Sequence, residues 1–328
     1  MDAVILAGGF GTRLRPLTLN RPKQMLPVVD RPMIEHVVGH LGAQGVSRAI
    51  LSLGYRPDGF EAAYPQRRCA GVELLYAVEP EPLDTAGAIA FAARTAGVDG
   101  TFIAMNGDVI NRFPLAGLLE LHRRARARAT IALAPVADPS RYGVVVCDPN
   151  GRVQRFVEKP PALQAPSNQI SVGIYALELR ALDSVPEGGR ASMEREIFPG
   201  LVSQGGLYAL GWDGFWVDAG TPETYLEVQL ALAGEGWVHP AAVVSPGASV
   251  THSVVMDGAV VHPGAAIIDS AVLPGARVGR DATVEGSIVG YRAEIGAGAR
   301  LSDLSVVGDG CVIPPQAVLR AERLPAAG

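Results

Sequence analysis

Aromatic residues make up only 6% of the 328 positions, and positive charge is not in excess: 28 Lys and Arg stand against 33 Asp and Glu, a formal net charge of −5. A nucleic-acid groove needs a basic field, which this balance argues against. Charged residues reach only 19% and hydrophobic ones 48%. That excludes a disordered chain and suits a domain with much buried parallel sheet. The longest stretch without Asp, Glu, Lys or Arg, Gly236 to Met256, is broken by His239, Pro240, Pro246 and His252, so no membrane span is predicted. The cysteines, Cys69, Cys147 and Cys311, are odd in number and lack any CxxC spacing. Neither a disulfide framework nor a zinc knuckle follows, and they read as small buried fillers. The N-terminal MDAVILAGG has no basic region and too short an apolar run for a secretory signal, so a cytoplasmic protein is expected.

Two textures follow one another along the chain. From residue 2 to about 136, short β-rich runs (AVILA, RAILSL, VELLYAV, TFIAM, TIALAPV) alternate with helical stretches at Met33 to Gly45, near 58 to 65, Ala86 to Ala96 and Leu115 to Ala125. Such alternation predicts a doubly wound, mostly parallel α/β sheet. Strands YGVVVCD, VQRFVEK, SVGIYAL and LYALGW, with helices around Arg180 and over Thr221 to Leu232, complete a first domain, 1–236. A second domain, 237–328, has Gly and Pro every few residues and aliphatic residues at a period of six. They fall at Val238, Val244 and Val250, then from Val254 through Val260, Ala266, Val272 and Val278 to Val284, then from Val289 through Ile295, Leu301, Val307 and Ile313 to Leu319, with two phase slips between the runs. Strands so short bury a face only when stacked neighbours cover it. The pattern predicts a left-handed parallel β-helix of hexapeptide repeats, whose open edges and end coil would support a homo-oligomer, dimer or tetramer.

The first strand runs into Gly8-Gly9-Phe10-Gly11-Thr12-Arg13-Leu14-Arg15-Pro16, followed by Arg21-Pro22-Lys23. Glycines there let backbone N–H groups approach a phosphate, and Arg13 and Lys23 supply charge. The third glycine of a dinucleotide GxGxxG would fall at Leu14, and no P-loop GKS/T is present, so neither common nucleotide fingerprint applies. Asp108 follows the strand Thr101 to Met105, at the carboxyl end where open α/β sheets bind ligands, a turn residue being the alternative. His36 and His40 lie four apart but not as HExxH, and read as packing or surface residues. The run Arg123, Arg124, Arg126, Arg128 reads as a solvated helix end, an anion site being the alternative.

The string LAGGFGTRLRPLT with RPKQMLPV resembles the sugar nucleotidyltransferases, and GFGTRL resembles their GDP-mannose pyrophosphorylase branch. The blocks EPEPLDTAG, Asn106-Gly107-Asp108, FVEKP, SVGIY, SMEREIFP and WVDAGTPETY match in order. The resemblance implies a Rossmann-like nucleotidyltransferase domain. It implies transfer of a nucleoside monophosphate from an NTP to a sugar 1-phosphate, with pyrophosphate released, Mg2+ as cofactor and no covalent enzyme intermediate. It also implies residue roles. Arg13, Lys23, Asp108, Lys159 and Asp218 would be catalytic, with Asp108 and Asp218 holding the metal. Leu6, Ala7, Gly8, Gly9, Gly11, Thr12, Arg13, Glu79, Asp84, Thr85 and Ala86 would contact the nucleotide. Glu158, Lys159, Ser171 and Glu194 would bind the sugar phosphate. A carboxylate at Glu79 accepts both N1–H and the exocyclic amine of guanine, so GTP is favoured, Glu81 being its near neighbour; ATP or dTTP with a hexose 1-phosphate is the alternative. Two departures stand out: Asp84 where the branch has Gly, adding charge and giving up the freedom of positive φ, and Ser171-Val172 where it has Asn-Ala. Both concern the acceptor pocket and widen the acceptor to another sugar or a cyclitol 1-phosphate. A sensing subunit without catalysis is the competing class, against which the retained Arg13, Lys23, Asp108, Lys159 and Asp218 argue; an acyltransferase on the β-helix, with His252 or His262 as base, is a third.

Overall fold

The computed structural model describes residues 1–54 and 57–325; the end of the predicted second domain, 326–328, lies outside the described residues. The chain forms two compact units, Met1–Gly9 with Ile34–Trp216, and Phe10–Met33 with Val217–Gly328. The loop 10–33 and the segment 217–236 thus group with the Gly/Pro-rich repeats.

In the first unit, ten strands among the described residues share one sheet. They are β1 (Asp2–Leu6), β2 (Arg48–Leu53), β3 (Arg68–Cys69), β4 (Val72–Val78), β5 (Thr101–Asn106), β6 (Ala129–Pro135), β7 (Gly143–Cys147), β8 (Val153–Glu158), β9 (Gln169–Glu178) and β10 (Leu207–Gly211). The order is β8-β7-β9-β5-β1-β2-β4-β3, with β6 pairing β9 and β10. Strands β5, β1, β2 and β4 run parallel. Their central residues, such as Ala3, Val4 and Ile5, are wholly buried, as unbroken apolar runs require when both faces are covered. The flank is antiparallel, because β7 and β8 form a hairpin whose turn is closed by Asp148 Oδ1 accepting from Asn150 N at 2.8 Å and Arg152 N at 3.0 Å.

Strand β9 is the seam. It pairs antiparallel with β6, and on its other edge with β7 at Ile170 and with β5 from Ile174 onward. The change of partner coincides with a register shift between Ser171 and Tyr175, a bulge that re-aims side chains. Among the helices are α1 (Met33–Ala43), α2 (Asp58–Ala63), α3 (Asp84–Thr95) and α4 (Leu115–Ala125). The last turn of α4 carries His122, Arg123 and Arg124, and Arg126 caps it at φ 49°, so the basic run is a helix end. His40 Nε2 lies 3.0 Å from the Phe113 carbonyl and 2.8 Å from Gln44 Nε2, a packing role. The helix expected around Arg180 is a short 3-10 turn, Leu179–Leu182. A helical stretch that the pattern did not suggest, a π-turn at Met193–Ile197 leading into α5 (Phe198–Ser203), occupies SMEREIFP; its polar residues hide the period, while Pro199 fits a helix start.

In the second unit, α6 (Pro222–Ala233) begins with a capping box between Thr221 and Thr224. After it come three parallel ribbons of short strands, six, five and five among the described residues, the left-handed β-helix. The inward residues stack as Val238-Val255-Val272-Val289-Val307, Val244-Val261-Val278-Ile295-Ile313 and Val250-Ile267-Val284-Leu301-Leu319. This corrects the hexad register: Val255, Val261 and Ile267 point inward, one position after the expected Val254, Val260 and Ala266. One corner of each early coil is a residue short. His252, Asp269 and Gly286 turn it in the left-handed region, at φ 43°, 47° and 51°, and a fully buried serine follows each one. Ser270 N donates to Ser253 Oγ and Ser287 N to Ser270 Oγ, both at 3.0 Å, while the hydroxyls donate to carbonyls two residues back. The fourth coil uses two left-handed residues, Asp303 and Leu304, before Ser305 and regains the sixth position, and the last turns at Ala321 alone, φ 52°, and is short again.

Ser270→Ala leaves Ser287 N buried without its acceptor, so we expect a loss of about 1–3 kcal/mol in urea unfolding; an unchanged midpoint would refute the serine column as a stabilising element.

Candidate active site

At the carboxyl ends of β1, β2 and β4 the backbones approach closely. A Cβ at Gly8 would stand 2.8 Å from Gly54 N and 3.2 Å from Glu79 Oε1, so only glycine fits. The neighbouring backbone groups are committed: Ala7 N donates to Ser52 O and Gly107 N to Leu6 O, both at 2.9 Å. Glu79 is half-buried, whereas Glu81 is exposed. Its Oε1 accepts from Ser52 Oγ at 2.9 Å and its Oε2 from Leu83 N at 3.1 Å. A carboxylate held by two donors keeps a lone pair on each oxygen, enough for two further N–H groups.

The start of α3 is sewn to the segment before the π-turn. Ala86 N and Gly87 N donate to Ala191 O at 2.9 and 3.1 Å, and a Cβ at Gly87 would lie 2.5 Å from Gly189 O. Asp84 keeps φ 60° despite replacing the expected glycine. Its Oδ1 accepts from Thr85 N at 2.8 Å, the local bond that lets aspartate enter the left-handed region, and its Oδ2 accepts from exposed Arg195 at 2.6 Å. The expected loss of positive φ is therefore absent. The Thr85 hydroxyl donates to Glu194 Oε2 and accepts from Met193 N, both at 2.8 Å; Ser192 Oγ adds a second donor to Glu194 Oε2 at 3.0 Å. Glu196, the alternative acid, instead accepts from Ser192 N at 2.9 Å. Thr85 thus faces the Glu194 side of the unit.

The bulge of β9 faces the same group. Gly173 has φ 74°, and a Cβ there would lie 2.5 Å from Asn106 Nδ2. Trp216 Nε1 donates to Val172 O at 3.2 Å and its ring stands edge-on to Tyr142, while the Val172 side chain is buried. Tyr175 is wholly enclosed. Burial raises its phenol above the ordinary range, the negative charges of Glu194 and Glu158 add to this, and the neighbouring Ser171 hydroxyl opposes it. Glu158 Oε1 pairs with Lys159 Nζ at 3.2 Å, with the Lys159 side chain 64% exposed. Lys159 itself has φ 47°. Two buried atoms here, Glu158 Oε2 and Ser171 Oγ, have no protein hydrogen bond of ordinary geometry among the described residues. Buried polar atoms are rarely left so. A cavity of about 780 Å³ lies elsewhere in this unit, bordered by Leu121, Arg124, Cys147 and Gln169; none of the expected site residues borders it.

Within the second unit, Gly11 is left-handed at φ 62°, and a Cβ there would lie 3.2 Å from Lys23 Cβ. Thr18 Oγ1 donates to Gly11 O at 2.7 Å. Two short turns, Thr12–Leu14 and Lys23–Met25, present Arg13 and Lys23. A Cβ at Gly220 would lie 2.8 Å from both an Arg13 guanidinium nitrogen and Asp218 Oδ1, which places Arg13 beside Asp218 and explains the glycine of WVDAGT. Gln24, fully buried next to Lys23, has both carboxamide atoms without a hydrogen bond among the described residues; no sequence pattern marks it. A simple signal marks the lysines. The chain contains two lysines, Lys23 and Lys159, and the other 26 of its 28 Lys and Arg residues are arginine. Where a compact point charge is used only twice, those positions stand out.

Glycine-rich turns, cations and carboxylates at strand ends are groups with which α/β proteins hold phosphates. Residues 2–235 match the family model Nucleotidyl transferase, and residues 232–325 match the GMPPB C-terminal domain. A mannose-1-phosphate guanylyltransferase of Mycobacterium tuberculosis is 38% identical over 271 residues, 78% of this chain and 75% of that protein. A mannose-1-phosphate guanyltransferase of Schizosaccharomyces pombe is 39% identical over 262 residues, 78% of this chain and 71% of that one. Among solved structures, HddC from Yersinia pseudotuberculosis complexed with GMP-PN has a TM-score of 0.60 and 29% identity, covering 70% of this chain and 99% of that chain. A putative glucose-1-phosphate thymidylyltransferase from Bacillus anthracis has a TM-score of 0.63 and 26% identity, covering 71% and 95%. The chain belongs to the nucleotidyl transferase family. Such enzymes generally use a divalent metal. Among the described residues no group of three or more His, Cys, Asp or Glu could hold one, and Asp108 is 7% exposed. A few carboxylates, with phosphate oxygens and water completing the shell, are the donor set of a hard cation.

Gly173→Ala must displace Asn106 and strain the bulge. We expect kcat/KM for the acceptor to fall roughly hundredfold with a loss of about 1–3 kcal/mol in stability; a variant with wild-type kinetics would show that the bulge does not shape the site.

Proposed function

We propose that this chain transfers GMP from GTP to a sugar 1-phosphate or sugar-like cyclitol 1-phosphate, releasing pyrophosphate and forming a GDP-sugar. The observation that carries the acceptor half is the buried carboxylate oxygen Glu158 Oε2, without a hydrogen bond among the described residues, beside Lys159 and the Ser171 hydroxyl. Glu158 accepts from an acceptor hydroxyl, Ser171 both donates and accepts, and Lys159 neutralises the acceptor phosphate. Glu194, already holding Thr85 and Ser192, fixes this side of the pocket. An oxygen of the acceptor phosphate attacks the α-phosphorus in line, the bond to the pyrophosphate oxygen breaks, and no protein nucleophile is needed. Lys23 neutralises the α-phosphate and Arg13 the leaving pyrophosphate. Asp108 and Asp218 are the carboxylates that would hold Mg2+, which when bound supplies further neutralisation of phosphate charge. The backbone at Leu6 to Thr12 and at Asp84 to Ala86 lines the nucleotide, with Glu79 reading the base.

Residues 1–236 form the transferase domain and 237–328 the β-helix domain of a homo-oligomer, dimer or tetramer, in the cytoplasm. No helix among the described residues is long and apolar enough to cross a membrane. The support for guanine is Glu79 together with the guanylyltransferase relatives. Ser171 in place of a carboxamide supports an acceptor other than mannose 1-phosphate.

The test is pyrophosphate release with Mg2+ across GTP, ATP, dTTP and UTP against mannose, glucose and cyclitol 1-phosphates. Turnover with GTP is expected, and Glu79→Gln should cost GTP roughly tenfold to hundredfold in kcat/KM while sparing dTTP. Preference for another nucleotide would overturn the base assignment, and silence across the grid with GDP-sugar still binding would favour a sensing subunit. Because the chain holds only two lysines, pyridoxal phosphate with borohydride gives a second check: GTP should protect Lys23 and an acceptor 1-phosphate Lys159, each read by peptide mass. Labelling of both unaffected by either ligand would remove the lysines from the site.

A further inference from the structure

Arg21, two residues before Lys23, belongs by sequence to the cationic loop. Within the second unit it points elsewhere. Its guanidinium carbon lies 3.5 Å from the centre of the Tyr291 ring, and its Nη2 donates to Asp309 Oδ2 at 2.8 Å. The pair is largely enclosed, with side-chain exposures of 27% and 12%. Asp309 Oδ1 accepts from Tyr291 N at 3.2 Å, so two successive coils of the β-helix are tied at the point where they grip the arginine. Burial pushes the Tyr291 phenol up to about 12, with the Arg21 charge opposing. A stacked, ion-paired guanidinium out of bulk water is held far more firmly than a surface lysine.

The rest of the loop is fastened to the same unit. A Cβ at Gly308 would lie 2.9 Å from Pro16 Cβ, and Arg323 Nη1 donates to Arg13 O at 3.3 Å. Gln229 of α6 donates to Pro27 O and accepts from Val29 N, both at 2.7 Å, and the buried Tyr225 hydroxyl also donates to Pro27 O. Arg13 and Lys23 therefore ride on a segment whose anchors lie in α6 and the last coils.

We propose that Arg21, Asp309 and Tyr291 are positioning residues for the loop that carries Arg13 and Lys23, so that the β-helix sets the geometry of triphosphate binding. The clamp acts on nucleotide rather than acceptor, because the loop supplies none of the acceptor-side groups. The inference rests on the reading that Arg13 and Lys23 bind the triphosphate.

The test uses the full-length protein. In Asp309→Asn, amide hydrogen exchange across residues 11–25 should speed up about tenfold, and kcat/KM for GTP should fall about tenfold with acceptor KM within about twofold. Tyr291→Leu should behave likewise, whereas Tyr291→Phe keeps the ring and should match the wild type. Unchanged exchange between residues 255 and 284 reports that the coils remain folded. Equal rises in both KM values, or loop exchange at the wild-type rate, would overturn the clamp. Should the wild type turn over no nucleotide, the functional reading fails by itself, and loop exchange in the two disruptive variants still decides whether the clamp exists.

Discussion

Joining two phosphate esters brings like charges onto one phosphorus, and the cost of that repulsion is met only by cations that are already in place. This chain must do so with a formal charge of −5. A flexible surface cation loses much of its worth to side-chain entropy and screening, so the value of each cation depends on the backbone that holds it. Lys159 is set by a left-handed residue after β8, and Lys23 by a turn packed on Gly11. Both lysines thus stand at irregular backbone positions, Lys159 at φ 47° and Lys23 in a short turn.

The same economy explains the irregular backbone. Gly173 turns β9 out of register so that Asn106 can sit under it, and Asp84 adopts φ 60° while bonding its own neighbour. The π-turn at Met193–Ile197 aims Glu194 at Thr85 and Ser192. Each feature costs stability where it stands, and the wholly buried sheet around Val4, Ile50, Phe102 and Ala104 offsets it. Bulges and π-turns concentrate where a side chain must be re-aimed rather than merely packed.

Much of this was legible from the residues. Periodicity two and three-point-six located most strands and helices of the first unit, because parallel strands need unbroken apolar runs and α4 needs its stripe of Leu115, Leu118 and Leu121. The motif blocks located the polar residues, but not what they touch. Thr85 illustrates the gap: its place in TAG suggested nucleotide, while its hydroxyl is committed to Glu194 and Met193 N. The hexad register slipped because the short corner is set by buried serines and left-handed residues, neither of which carries a hydrophobic period. The π-turn was hidden by a polar stretch that has no stripe. Arg21 was hidden because its partners lie 270 or more residues away, a distance no local pattern spans.

That long-range pairing bears on why a repeat domain is joined to a transferase at all. A stacked β-helix is stabilised by neighbours alone, coil on coil, and its strands need no catalytic contact to fold. Its interior column of Val, Ile and Leu is fully closed around the middle coils, so it is rigid without help from the loop. A rigid body of this kind is a poor site for chemistry and a good anchor. Arg21, two residues before Lys23, commits a largely enclosed guanidinium to Tyr291 and Asp309. Giving up one charge to hold two others still is favourable when misplacement of a phosphate-binding group by an ångström costs more than the charge itself supplies. On that argument the coils belong to the catalytic architecture, and their chemistry is expressed through the position of a loop.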